Sequence, residues 1–123
     1  MLDSDERPAA DHASEAFADR AIPQFWDGNQ AMGKEVARSL GQPDWTAWDI
    51  YLFYPPGVAW LDAGLPPAQA MLAQAGGVVV ANKGTLPAVE LDADLSPKVR
   101  TRVDIVGPQT QLDSLLARVA AAF

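Results

Sequence analysis

The sequence predicts an α/β fold in which one central sheet carries helices on both faces. Three observations lead to that expectation. Helical and strand patterns alternate along the whole chain, which suits a sheet with helices and neither a helical bundle nor an all-strand sandwich. Residues Trp48-Asp49-Ile50-Tyr51-Leu52-Phe53-Tyr54 are largely apolar at both parities, as a strand covered on each side must be. The 123 residues, 49% hydrophobic and 20% charged, are enough for one packed domain spanning 1–123 and too apolar for a disordered chain.

From Pro8 to Arg20, the residues Ala9, Ala10, Ala13, Ala16 and Phe17 recur at spacings of three and four, predicting a helix with a narrow apolar stripe. Ala21 to Trp26 is short, apolar and interrupted by Pro23, which suits an edge strand. Asp27 stands where it can cap the next helix, Gln30 follows three residues on as in a capping box, and Met32, Val36 and Leu40 share a face. Gly41 and Pro43 stop that helix. After the strand 48–54, Pro55-Pro56-Gly57 has the chemistry of a type II turn, and Val58 to Asp62 is expected to return as its hairpin partner. This hairpin, 48–62, is expected at the centre of the sheet.

Pro66-Pro67 then opens a predicted helix with Ala68, Met71, Leu72 and Ala75 on its buried face and Gly76-Gly77 as its stop. Val78-Val79-Val80 reads as a strand and residues 82–97 as a loop. Val99, Thr101, Val103 and Ile105 alternate with Arg100, Arg102 and Asp104, predicting a strand with one wet face. Gly107-Pro108 ends it, and Leu112, Leu115, Leu116, Val119 and Phe123 trace an amphipathic helix expected to cover one face of the sheet.

Sixteen acids against nine bases give a net charge of −7, and seven of those acids with two bases lie in the first thirty residues. An acidic chain repels phosphate backbones, so no nucleic-acid partner is expected, and Lys98, Arg100 and Arg102 read as a solvated stripe on a strand. No window approaches the roughly 18 apolar residues of a membrane span, and the acidic opening is unlike a signal peptide. The expectation is a soluble chain without a membrane partner. Zero cysteine removes disulfides, thiol redox, cysteine nucleophiles and thiolate metal sites. One histidine, His12, cannot build a multi-histidine metal site. No cofactor and no metal are expected.

The stretch from about Asp19 to Gln74 contains Phe25-Trp26-Asp27-Gly28, a helix, the strand 48–54, a tight turn ending at Gly57, a return strand and a helix from Pro66. In that order it resembles the second half of thioredoxin-like proteins, bacterial ones among them, whose thiol motif lies upstream. The resemblance implies a thioredoxin-like sheet with helices on both faces. Two departures narrow what it implies about function: no cysteine occurs, and Thr46-Ala47-Trp48 stands where the family holds a cis-proline before the hairpin strand. The implied domain is redox-inactive and acts by binding a protein or a small ligand. A first strand and a Cys-x-x-Cys encoded before Met1 would instead make this the back half of a thiol oxidoreductase.

The candidate ligand-binding residues are Trp26, Trp45, Trp60, Asp49 and Asp62. With Trp48, Tyr51 and Tyr54, the tryptophans offer flat rings that could wall a groove, or they form the core of the hairpin through cross-strand pairs worth about 0.2 to 1 kcal/mol each. Trp45, beside the loop after the second helix, is expected to be the most exposed. Asp49 starts the strand and Asp62 ends its expected partner, so the two carboxylates would meet at one sheet end. A small hydrolase or isomerase working through that pair is the alternative function.

Other acidic and glycine-rich segments read more plainly. Glu90, Asp92 and Asp94 lack the spacing and glycine of a calcium loop and read as solvated. His12 reads as a surface residue. Gly76-Gly77 and Asn82-Lys83-Gly84 lack a phosphate-loop pattern and read as turns. Binding is expected through the aromatic end of the sheet or through an exposed edge strand, with residues 21–26 or 99–105 as the edges that would pair. A homo-oligomer is a further reading.

Overall fold

The computed structural model describes residues 6–15, 18, 23–60, 62 and 64–123. They fall in two compact units, Met1–Trp48 and Asp49–Phe123.

In the first unit, α1 (Arg7–Ser14) has Pro8 in its first turn and no buried residue. It is held on its exposed side by Arg7 with Asp11 at 3.1 Å and His12 with Glu15 at 3.4 Å. The continuation expected through Phe17 and Arg20 falls largely outside the described residues, as do residues 21 and 22 of the predicted edge strand. Pro23 to Trp26 form no strand. The proline removes a ladder donor, and nothing in the described chain pairs with this segment.

The second helix, α2 (Ala31–Ser39), begins four residues later than Asp27, behind Gln30 in the left-handed region at φ 56°. Asp27 still caps it: its Oδ2 accepts the Gly33 amide at 3.0 Å. Gln30 is not the reciprocal half of a capping box; its Oε1 lies 3.4 Å from the Thr46 hydroxyl. Gly33, Val36 and Ala37 are buried, whereas Met32, expected on the apolar face, is exposed. The helix ends in a Schellman motif, with Gly41 at φ 75° donating to the Arg38 carbonyl and Gln42 to that of Ala37.

The second unit is built on a four-stranded antiparallel sheet in the order β1-β2-β3-β4, with β1 Ile50–Phe53, β2 Ala70–Ala75, β3 Val78–Asn82 and β4 Val103–Pro108. The partner of β1 is therefore β2, with Tyr51 opposite Leu72; of the expected partner 58–62, the described residues 58–60 and 62 form no strand. Residues 66–75 were expected to be helical, but their apolar positions fit a strand buried on both sides equally well. A short apolar run does not distinguish the two periods. The hairpin settles it. Ala75 pairs with Val78 across Gly76 and Gly77 at φ 57° and 79°, the two positive angles of a type I′ turn, and the valines of β3 then supply β2 with hydrogen-bonding partners.

The centre of the sheet is thus β2 and β3, and β1 lies at an edge. The expectation of a central 48–62 hairpin is corrected on this point. The described residues contain no parallel strand pair.

The strand predicted over 99–105 lies further on. Pro97–Arg100 form one helical turn, α3, because Pro97 favours the first helical position and removes the donor a strand would need. β4 runs through Gly107-Pro108, which were expected to end it. An edge strand tolerates a proline, and a bulge opposite Val79/Val80 takes up the extra residue. Lys98 and Arg100 are therefore not on a strand face; Arg100 donates to the carbonyls of Ala93 and Leu95.

The final helix, α4 (Leu112–Ala120), enters through a short 3-10 turn at Gln109–Gln111. Its Leu115 and Val119 complete a core with Ala70, Leu72, Val79, Ala81 and Val106, flanked by Phe53, Leu86, Leu112 and Leu116. Leu72, Val79 and Leu115 are the most deeply buried. Burial of each such side chain stabilises by about 1.5 to 3 kcal/mol. Gly107 lets Leu115 pack close, since a Cβ on it would lie 3.0 Å from the end of that side chain.

Candidate functional site

The five residues singled out by sequence do not form one site within either unit. Trp26 and Trp45 belong to the first unit, and Asp49, Trp60 and Asp62 to the second. Trp26 is half-buried, and its indole lies so close over Gly28 that a Cβ there would meet Nε1 at 2.6 Å. Trp45, Trp48 and Trp60 are 54%, 53% and 49% exposed, so none of the three is a core residue. Tyr54 is half-buried; its hydroxyl donates to the Pro66 carbonyl at 3.2 Å, and burial raises its pKa.

Asp49 precedes β1 at φ 55°, and its carbonyl accepts the Gln74 amide at 3.3 Å. Asp62 lies in the connection from β1 to β2. The expectation that Asp49 and Asp62 meet rested on residues 58–62 pairing with β1; among the described residues, 58–60 and 62 form no strand.

The acidic residues have plainer roles. Burial pushes the Asp27 carboxyl up, but the backbone amides of Gly33, Met32 and Ala31 outweigh it and hold its pKa below the ordinary carboxylate range. The Gly84 amide and the Lys83 ammonium, 3.0 and 3.3 Å away, lower that of Asp104. Glu90, Asp92 and Asp94 are exposed. Among the described residues no group of three or more potential metal ligands occurs, and no helix is long and apolar enough to cross a membrane.

The feature that sequence reasoning missed is the contrast between the two sheet edges. Along β4, the outward carbonyl of Ile105 accepts the Val89 amide at 2.8 Å, Pro108 has no amide to offer, and the bulge distorts the ladder. These are the devices by which sheets block unwanted pairing. β1 has none of them: Ile50-Tyr51-Leu52-Phe53 is uncharged, proline-free and regular in register. The Asp49–Gln74 bond places residue 49 in a hydrogen-bonded pair, so by the two-residue period of the ladder Ile50 and Leu52 turn their amides and carbonyls away from β2. Among the described residues, no backbone group outside the sheet bonds to either. No protein-family model matches the chain, and neither a curated protein nor a solved structure shows significant similarity to it.

A β1 edge was hidden in the sequence because the strand is apolar on both parities, the mark of a central strand. The signal that points the other way is Gly76-Gly77 before three valines, which makes β2 and β3 each other's neighbours and leaves β1 one neighbour only.

Proposed function

We propose that this chain is a binding domain without redox chemistry, and that it takes up an extended segment of a partner protein as an added strand on β1. The observation that carries the reading is the unguarded β1 edge, set against a β4 edge that is guarded in three ways. An added strand gains main-chain hydrogen bonds from Ile50 and Leu52. Its alternate side chains lie beside Tyr51, 38% exposed, which supplies selectivity. The thioredoxin-like relationship belongs to the same proposal. Its support is limited to a sheet that carries helices, since residues 58–60 and 70–75, which carried the resemblance as return strand and helix, take other states; the absence of cysteine supports the reading without redox chemistry.

The test uses Leu52→Pro, which removes an amide facing away from β2 and leaves the β1–β2 bonds in place. An array of extended peptides with alternating apolar positions is screened against the wild-type chain by fluorescence polarisation. The expected outcome is a subset that binds the wild type and binds the variant up to about tenfold more weakly, the loss expected when one neutral main-chain bond is removed. Bound peptide should also slow hydrogen exchange at Ile50 and Leu52. Equal binding to both proteins, or no binding peptide at all, would overturn the reading.

A further inference from the structure

A groove of about 300 Å³ opens in the second unit between the turn after β3 and the last turn of α4. Lys83 and Thr85 stand on one side, Arg118 and Phe123 on the other, and the buried Ala70 and Val119 also line it. Its volume is at the lower end of the range for small-molecule sites.

Charge sets this groove apart. Acids outnumber bases sixteen to nine in the chain, yet no Asp or Glu lines the groove and its two charged side chains are cations; the main-chain carboxylate of Phe123 is the one negative group on a lining residue. Lys83 is held in place by Asp104, 3.3 Å from its Nζ, while the other oxygen of that carboxylate accepts the Gly84 amide at 3.0 Å. Its charge is therefore partly compensated. Arg118 makes no ion pair among the described residues. The Thr85 hydroxyl donates to Asn82 Oδ1 at 2.6 Å, so its proton is committed. Phe123 is positioned against Phe53, ring centroids 5.7 Å apart, and gives the groove an apolar wall.

We infer that this groove binds a small organic carboxylate, its oxygens on the Arg118 guanidinium with Lys83 nearby and its apolar body against Val119 and Phe123. Guanidinium groups recognise carboxylates through two parallel hydrogen bonds. The carbonyl end of α4 disfavours an anion there, but by less than charge-assisted hydrogen bonds favour one. The groove adjoins β1 only at Phe53, away from the outward-facing Ile50 and Leu52, and its test does not depend on strand addition.

The experiment titrates the full chain, labelled with nitrogen-15, with benzoate, with benzamide as its neutral counterpart, and with inorganic phosphate. Benzoate is expected to give saturable amide shifts at Lys83, Gly84, Thr85 and Val119, with benzamide at least about tenfold weaker. Arg118→Gln should weaken benzoate by about tenfold or more and Lys83→Gln by less, since Lys83 is already paired. Unchanged spectra away from the groove would show that the variants fold. The inference is overturned if benzoate and benzamide bind alike, if Arg118→Gln leaves benzoate binding unchanged, if the shifts lie elsewhere, or if phosphate binds as tightly as benzoate.

Discussion

Asp27 shows how one side chain sets where a helix begins. Its carboxylate stands outside α2 yet takes the Gly33 amide at 3.0 Å, one of the donors a helix leaves unpaired in its first turn. Asp27→Ala is expected to cost about 1 kcal/mol at neutral pH, the usual value of a lost cap. Because the folded state holds the carboxyl below its ordinary pKa, the folded chain binds that proton less readily than the unfolded one. The cap's contribution is complete above the ordinary carboxylate range, about pH 4, and is lost as pH falls further. Urea unfolding of wild type and Asp27→Ala should thus differ at pH 7 and converge towards pH 3. Asp27 as a cap was legible in the sequence. The need for glycine at 33 was not: a Cβ there would meet the Ala47 carbonyl oxygen at 2.7 Å, a neighbour fourteen positions away that only the folded chain brings close.

At the scale of elements, the strongest helical pattern agrees with the structure, the alternation over 99–105 agrees only from Val103 onward, and expectations that rested on short apolar runs divide. Leu112 to Ala120 is helical with Leu115 and Val119 buried, as its spacing requires. Val78-Val79-Val80 is a strand, and the turn at Gly57 forms, at φ 88° with the Val58 amide bonded to the Pro55 carbonyl. Residues 66–75 went the other way because their neighbours in space, rather than their spacing, determined their state. The hairpin that overrides the helical reading depends on its two glycines. Gly77→Val is expected to destabilise the sheet by about 1 to 2 kcal/mol, the penalty of the left-handed region for a residue with a Cβ. Thermal melts followed by circular dichroism would read this. No crowding contributes, since nothing lies within 4 Å of a Cβ at Gly77.

For the molecule as a whole, stability of the second unit rests on one layer of contact between α4 and the sheet. Leu115, 1% exposed, is at its middle. Leu115→Ala is expected to cost about 2 to 5 kcal/mol through the cavity it leaves, a large share of the 5 to 15 kcal/mol typical of a folded domain. A drop in thermal midpoint of well over about 5 °C should follow. The same arrangement leaves both proposed binding features at the margins of the sheet, one along β1 and one beside the last turn of α4. Neither makes use of the aspartate pair or the tryptophan group that the sequence brought forward.

The sequence by itself determined the chemistry that this stretch of chain lacks, the positions where it turns, and the helix that covers the sheet. These depend on residue type or on a local period, which are properties of neighbours along the chain. Only the tertiary structure decided that 70–75 is a strand, that β1 is an edge and that Lys83 and Arg118 flank one groove. Strand pairing is a choice among distant segments, and a strand's exposure depends on how many neighbours it finds. An apolar strand destined for the middle of a sheet and one left open at its side read alike in sequence.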